Sequence, residues 1–194
     1  MTRKRLVVID GHPDPDAGRF IHALANSYAD GATAGGHEVR LIRLAALDFP
    51  LVTSRQEWEG ETGNPVIREA QETIAWAQHL TILYPLWLGD VPALLKAFLE
   101  QVMRPGFAFA YREGKLPEKK LKGHTARLVV TMGMPAFFYR AFYGAHSVKS
   151  FERNILRFVG IQPFEHLLLG NVEADADKRD SWLEEIFELG KRGI

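Results

Sequence analysis

The chain contains no cysteine, which excludes disulfide scaffolds, thiol catalysis, cysteine-held iron–sulfur clusters and zinc sites built on thiolates. That absence fits a cytoplasmic location. It also lacks an excess of either charge: 24 Lys and Arg balance 24 Asp and Glu among 194 residues. Nucleic-acid binding draws its affinity from surplus cations, so no nucleic-acid partner is expected. The same balance gives no support to an anionic membrane surface. No stretch approaches the ~20 apolar residues that cross a bilayer, so no membrane insertion is expected. The basic start, Met1 to Arg5, is followed only by the short apolar run Leu6 to Ile9 before Asp10, far less than a secretory h-region. Internal repeats, linkers and low-complexity tracts are missing too, and a single domain over residues 1–194 is expected.

What is present is alternation. Leu6 to Ile9 is a short β-branched run of the kind buried on both faces of a sheet. Similar runs recur at Val39 to Leu44, Leu80 to Tyr84, Ala126 to Thr131 and Phe164 to Leu169. Between them the spacing turns helical. Phe20, Ala23, Leu24, Ser27 and Tyr28 lead to a stop at Gly35 and Gly36. Asn64 and Pro65 open a helix running to about Gln78. Leu95, Phe98, Leu99 and Val102 form a stripe ended by Pro105 and Gly106. Val148, Phe151, Ile155, Phe158 and Val159 form another, closed by Gly160. A last helix follows, with Ser181 and Glu184 spaced as a capping box or with an earlier start near Asp175. Residues 45–63 read as a surface excursion, 106–123 as a loop or hairpin, and 132–147 as a polar-aromatic loop. Strands alternating with helices imply an α/β three-layer sandwich: a five-stranded parallel sheet with helices on both faces, in the flavodoxin-like order 2-1-3-4-5.

Such sheets bind ligands beyond the carboxyl ends of their strands, near the switch point between strands 1 and 3. Three loops are thereby selected. The first, residues 10–19, has neither the dinucleotide G-x-G-x-x-G nor a P-loop. It brings Gly18, Arg19 and Phe20 to a helix start, where free N–H groups and a guanidinium suit a phosphate; a plain βα turn with a surface Arg is the alternative. His12 could touch a phosphate or a ring. Asp14 and Asp16 lack the other ligands of an EF-hand, so no metal is expected. The second loop, Tyr84 to Asp90, is apolar, and Trp87 beside Gly89 suits a slot for a flat heteroaromatic ring or, alternatively, a buried connection or subunit contact. The third, Thr131 to His146, crowds aromatic residues between Phe137 and Tyr143. They could line a pocket for planar substrates, bury against a partner chain, or both. Tyr139, Tyr143 and His146 are its proton donors near neutral pH.

Four segments taken together carry a resemblance. Gly11 to Pro15, Tyr84 to Lys96, Gln101 to Phe109 and Thr131 to His146 resemble, in order, the flavodoxin-fold NAD(P)H:quinone oxidoreductases, the DT-diaphorases and their shorter bacterial relatives. The resemblance covers Leu6 to about Leu169. It implies a bound flavin, two-electron reduction of quinones by NADH or NADPH, and a homodimer with active sites at the subunit interface. By position it assigns His12, Gly18, Arg19 and Phe20 to the phosphate side of the cofactor. Pro85, Leu86, Trp87 and Leu88 would lie along the isoalloxazine, and Thr131, Met132, Gly133 and Met134 at its polar edge. Tyr139 and His146 match the family's catalytic pair, with Tyr143 a competitor because one extra residue separates them. Phe107 and Phe109 from the other subunit, with Phe137, Phe138 and Tyr143, would line the substrate pocket. The chain lacks the C-terminal extension of the animal enzymes, so FMN is expected, with FAD the alternative. Met132 and Met134 stand where the DT-diaphorase pattern has threonine and glycine. Azo and nitro compounds are further acceptors. An accessory flavoprotein of a potassium efflux system is the rival reading, while a phospho-receiver role fails for want of an acidic residue at Tyr84 and Pro85.

Overall fold

A computed structural model describes residues 2–174 and 176–194. Its main sheet has the strands β1 (Arg5–Asp10), β2 (Glu38–Arg43), β3 (His79–Pro85), β6 (Thr125–Met132) and β7 (Phe164–Gly170). They lie in the order β2-β1-β3-β6-β7, every pairing parallel. Counting only these five strands, this is the expected 2-1-3-4-5 order. β4 (Phe109–Arg112) and β5 (Lys115–Lys119) form a separate antiparallel hairpin, settling the character of the 106–123 segment.

The two-residue period of the strands divides the core. Val7 and Ile9 point to one face and Leu6 and Val8 to the other. The first face is covered by α3 (Pro65–Trp76), α4 (Ala93–Val102) and a long helical segment. That segment comprises α6 (His146–Phe151), one π-helical turn (Glu152–Leu156) and α7 (Arg157–Val159). It ends at Gly160, whose φ of 105° is the left-handed stop a glycine supplies most readily. The second face is covered by α1 (Phe20–Ala34) and α8 (Ala176–Arg192). These two approach so closely that a Cβ on Gly31 would lie 2.0 Å from the Phe187 carbonyl oxygen.

Four expectations are corrected. The excursion contains a 3-10 turn (Leu44–Ala46) and α2 (Arg55–Glu59), whose first turn is capped by the Ser54 hydroxyl. The polar-aromatic loop contains α5 (Ala136–Ala141). α3 stops at Trp76, because Ala77 turns extended and the Gln78 N–H donates to the Arg5 carbonyl at 2.8 Å, starting the β1–β3 pairing. Ser181 lies inside α8 rather than at its cap; the alternative start at Asp175 falls outside the described residues. Among the described residues, no helix is long and apolar enough to cross a membrane.

Candidate functional site

The carboxyl ends of β1, β3 and β6 are neighbours, so the loops that follow them converge. The first leaves β1 through Gly11, whose N–H donates to the Leu83 carbonyl at 2.8 Å; a Cβ there would sit 2.9 Å from that same oxygen. Asp14 then accepts the Asp16 N–H (2.9 Å), and Asp16 accepts the Gly18 N–H (3.0 Å), two local turns of the kind aspartate favours. The Asp16 N–H, with Arg19 next in effect, holds the Asp14 carboxyl below its usual range. Arg19 bridges the two carboxylates, at 2.8 Å from Asp14 and 3.4 Å from Asp16. This corrects part of the sequence expectation: the Gly18 N–H and the Arg19 guanidinium are already engaged within the loop. An anion at this helix start must compete with Asp14 and Asp16. The physical reason is spacing, since acidic residues two and four places before Gly18 can fold back onto its N–H and onto Arg19.

His12 is 8% exposed and touches Trp87 edge-on, the ring centroids 5.6 Å apart. Its Nδ1 accepts the Asp14 N–H at 3.1 Å, which places the proton of the neutral ring on Nε2. Burial, followed by the charge of nearby His22, lowers its pKa below the ordinary histidine value. Among the described residues Nε2 has no hydrogen-bond partner, so it is a donor available to a ligand.

The second loop is tied to the third by the Leu86 N–H, which donates to the Thr131 carbonyl at 2.8 Å. Trp87 and Asp90 then exchange both backbone hydrogen bonds at 2.9 Å, with Leu88 (φ 49°) and Gly89 (φ 79°) between them. Positive φ at both central residues is the geometry of a type I′ turn. Glycine suits it; leucine is strained there. Leu88 is nonetheless fully exposed at the apex, and Trp87 is 47% exposed beside it.

In the third loop Thr131 and Met132 are buried, while Gly133 is open, with nothing within 4 Å of where a Cβ would stand. The Met132 and Met134 carbonyls accept N–H groups of Val172 (3.3 Å) and Asn171 (3.2 Å), anchoring the loop to the segment after β7.

A cavity of about 480 Å³ lies among these loops. Its walls include His12, Gly18, Arg19, Phe20, Pro85 and Trp87, joined by Thr131 from the third loop. The structure thus brings together most of the residues assigned to the cofactor. It adds residues that sequence reasoning missed: Asp14 and Ile21 from the first loop and helix start, and Val172, Glu173 and Arg179 from beyond β7. Arg179 donates from Nε to the Val172 carbonyl at 2.5 Å and lies over the Phe20 ring at 5.7 Å. On a charged helix it reads as one more solvated cation; only the packing of α8 against α1 brings it to the cavity. On the other side of Trp87 a second cavity, of about 470 Å³, is bounded by Leu88, Pro92, Lys96, Ser147 and Phe151. Trp87 is the partition between the two.

The remaining assignments disperse. Tyr139 is 1% exposed, and its hydroxyl pairs with Ser147 Oγ at 2.7 Å. His146 is exposed, and its ring makes no hydrogen bond to Tyr139 or to any other described residue. Ser147 is therefore the hydroxyl that connects Tyr139 to the second cavity, and no sequence signal distinguished it. Tyr143 packs beside Tyr139 with ring centroids 6.4 Å apart. Phe137 and Phe138 are exposed and line neither cavity; Phe138 stacks on Phe142 at 5.1 Å. Phe109 lines neither of these two cavities; it borders a separate one with Trp58, Leu99 and Phe158. It is buried in the core of its own chain, 4.8 Å from the Phe158 ring centroid. Phe107 is half-buried against a separate cavity that holds Arg68 and Arg104. Beneath the site, burial raises the pKa of Tyr84, whose hydroxyl has no hydrogen-bond partner among the described residues.

An open parallel sheet with a cleft at its switch point, walled by an indole and flanked by cations, defines a ligand-binding protein of the doubly wound class. Residues 4–189 match the family model for the flavodoxin-like fold. An uncharacterized NAD(P)H oxidoreductase of Haemophilus influenzae is 26% identical over 176 residues, covering 89% of this chain and 86% of its own. FMN-dependent NADH:quinone oxidoreductase 2 of Listeria innocua is 30% identical, covering 68% of this chain and 67% of its own. Among solved structures, the NAD(P)H:quinone oxidoreductase of Methanothermobacter marburgensis superposes with a TM-score of 0.85 over 100% of both chains, at 22% identity. The chain belongs to the flavodoxin-fold NAD(P)H:quinone oxidoreductase family.

Proposed function

We propose that this protein is an FMN-dependent NAD(P)H oxidoreductase that reduces quinones, with azo and nitro compounds as further acceptors. The observation that carries the reading is the cleft at the switch point. One wall is the half-exposed Trp87, the rim carries Arg19 and Arg179, and His12 holds an unpartnered N–H. A flat, apolar ring bearing an anionic tail fits that chemistry: indole and proline for the ring, guanidinium groups for the phosphate. When bound, FMN would supply two-electron hydride chemistry through N5, in a ping-pong cycle between the reduced nicotinamide and the acceptor.

The residues then divide the work. Arg19 and Arg179 hold the phosphate, Arg19 by exchanging its carboxylate partners for phosphate oxygens. His12 donates from Nε2. Pro85, Leu86, Trp87 and the Leu88 turn shape the ring slot, while the backbone of Thr131, Met132, Gly133 and Met134 meets its polar edge. Phe137, Phe138 and Tyr143 offer flat surfaces to a planar acceptor. Tyr139, through Ser147, and the solvent-facing His146 supply protons. The reading includes a homodimer in which the second copy covers the exposed aromatic face around Phe137 and Phe142.

The test is the visible spectrum of the purified protein, followed by the mass of any chromophore released on denaturation. A flavin spectrum and the mass of FMN are expected. A colourless protein that neither FMN nor FAD reconstitutes overturns the reading.

A further inference from the structure

Behind the first loop lies a polar cluster that touches neither cavity. Asp10, at the last position of β1, is wholly buried. A carboxylate there is costly unless it is paired. Its Oδ2 lies 2.5 Å from Nδ1 of His22, and its Oδ1 accepts the His12 N–H at 3.3 Å. The second nitrogen of His22, Nε2, lies 2.9 Å from the Asp14 carbonyl oxygen. An ionised carboxylate and a carbonyl both only accept. With Asp10 ionised, both acceptors are satisfied together only by a His22 ring that carries a proton on each nitrogen. Arg43, at the end of β2, lies 3.6 Å from the same carboxylate oxygen.

We infer that His22 is a positioning residue for the ligand cleft: pinned by Asp10, it grips the Asp14 carbonyl and so fixes the loop that orients His12. The chain of contacts is continuous. The Asp14 peptide that gives its carbonyl to His22 gives its N–H to His12 Nδ1, so the same residue is held from both sides. The His22 and His12 rings meet edge-on at 5.5 Å, and His12 meets Trp87 at 5.6 Å. Fixing Asp14 also fixes the carboxylate that holds Arg19. A cationic His22 opposes protonation of His12, which keeps Nδ1 free to accept and Nε2 as the donor. The other charges facing His12 are Asp10 from β1 and Asp14 and Arg19 from its own loop, with Glu173 and Arg179 across the cavity.

The role assigned to the cleft rests on the FMN reading, but the first measurement does not. Imidazole nitrogen NMR of the unliganded protein should show His22 protonated on both nitrogens and His12 protonated on Nε2 alone. A His22 ring with one proton, or a His12 ring protonated on Nδ1 at neutral pH, overturns the inference. In His22→Gln, which keeps one donor, the His12 titration midpoint should move up toward the ordinary histidine range. FMN affinity should fall by about tenfold, the scale of one lost charge-assisted hydrogen bond. A purely structural role would lower the unfolding temperature without moving that midpoint, and an unmoved midpoint refutes the assignment. Should His22→Gln fail to fold, the imidazole nitrogen NMR of the unliganded wild type decides the inference by itself. If the wild type takes up no FMN, the functional reading falls while the NMR result still decides this one.

Discussion

The amino-terminal ends of β3 and β6 are closed over by packing and hydrogen bonds, whereas the loops at the carboxyl ends of the same strands carry exposed aromatics and a strained turn. His79, at the start of β3, is buried with Nδ1 2.6 Å from the Thr125 hydroxyl. Nearby, α1 and α8 pack backbone to backbone, and a Cβ on Gly190 would sit 2.1 Å from the Tyr28 carbonyl oxygen. At the other end Leu88 holds a left-handed conformation in full solvent, and Gly133 faces open space. Strands shared by both ends thus serve two purposes. One end supplies stability through closure, and the other gives up packing to leave room for a ligand.

The largest expected effect lies at the closed end. Burial, with Arg127 and Lys4 adding to it, lowers the pKa of His79 from 6.5 to about 3. Above pH 6.5 the ring is neutral whether the chain is folded or unfolded. Between about 3 and 6.5 only the unfolded chain takes up the proton, so this contribution is lost as pH falls. The full loss is on the order of 3–5 kcal/mol. Denaturant unfolding across that pH range should show a shallower dependence in His79→Gln than in the wild type. Equal dependences would show that the closed end carries no such penalty.

Next comes the helix contact. Gly31→Ala inserts a methyl group where the Phe187 carbonyl stands 2.0 Å away, and should cost roughly 1–3 kcal/mol of stability. FMN affinity of the folded variant should stay within twofold of wild type, because α1 meets the cleft at its opposite end. A large loss of affinity would mean that the two ends are coupled. The smallest effect belongs to the open end. Leu88→Gly relieves the left-handed strain but loosens the unfolded chain, so stability should change by less than about 1 kcal/mol. Quinone reductase turnover should fall, since the turn loses its apolar apex. A marked loss of stability with unchanged turnover would reverse the contrast between the two ends.

Much of this was written in local pattern. The β-branched runs at Leu6, Leu80 and Ala126 located the strands, and their alternation with helical stripes located the three loops. Trp87 was legible as a candidate ring wall because an indole beside a glycine in an apolar turn suits a flat ligand. The packing of Phe109 on Phe158 was not legible, because an aromatic residue in a Gly-containing segment has the same local signature whatever it packs against. The occupation of Arg19 by Asp14 and Asp16 was not legible either, since the sequence does not say which way a carboxylate turns.

Periodicity and turn chemistry, which act over a few neighbouring residues, were enough to determine the doubly wound sheet and the edge at which the cleft opens. Only tertiary structure decided that Arg179 reaches the cavity, that Tyr139 pairs with Ser147, and that His22 lies locked between Asp10 and Asp14. Those pairings join groups from separate elements, and their partners are set by the packing of whole helices on the sheet, a long-range property that no local spacing encodes.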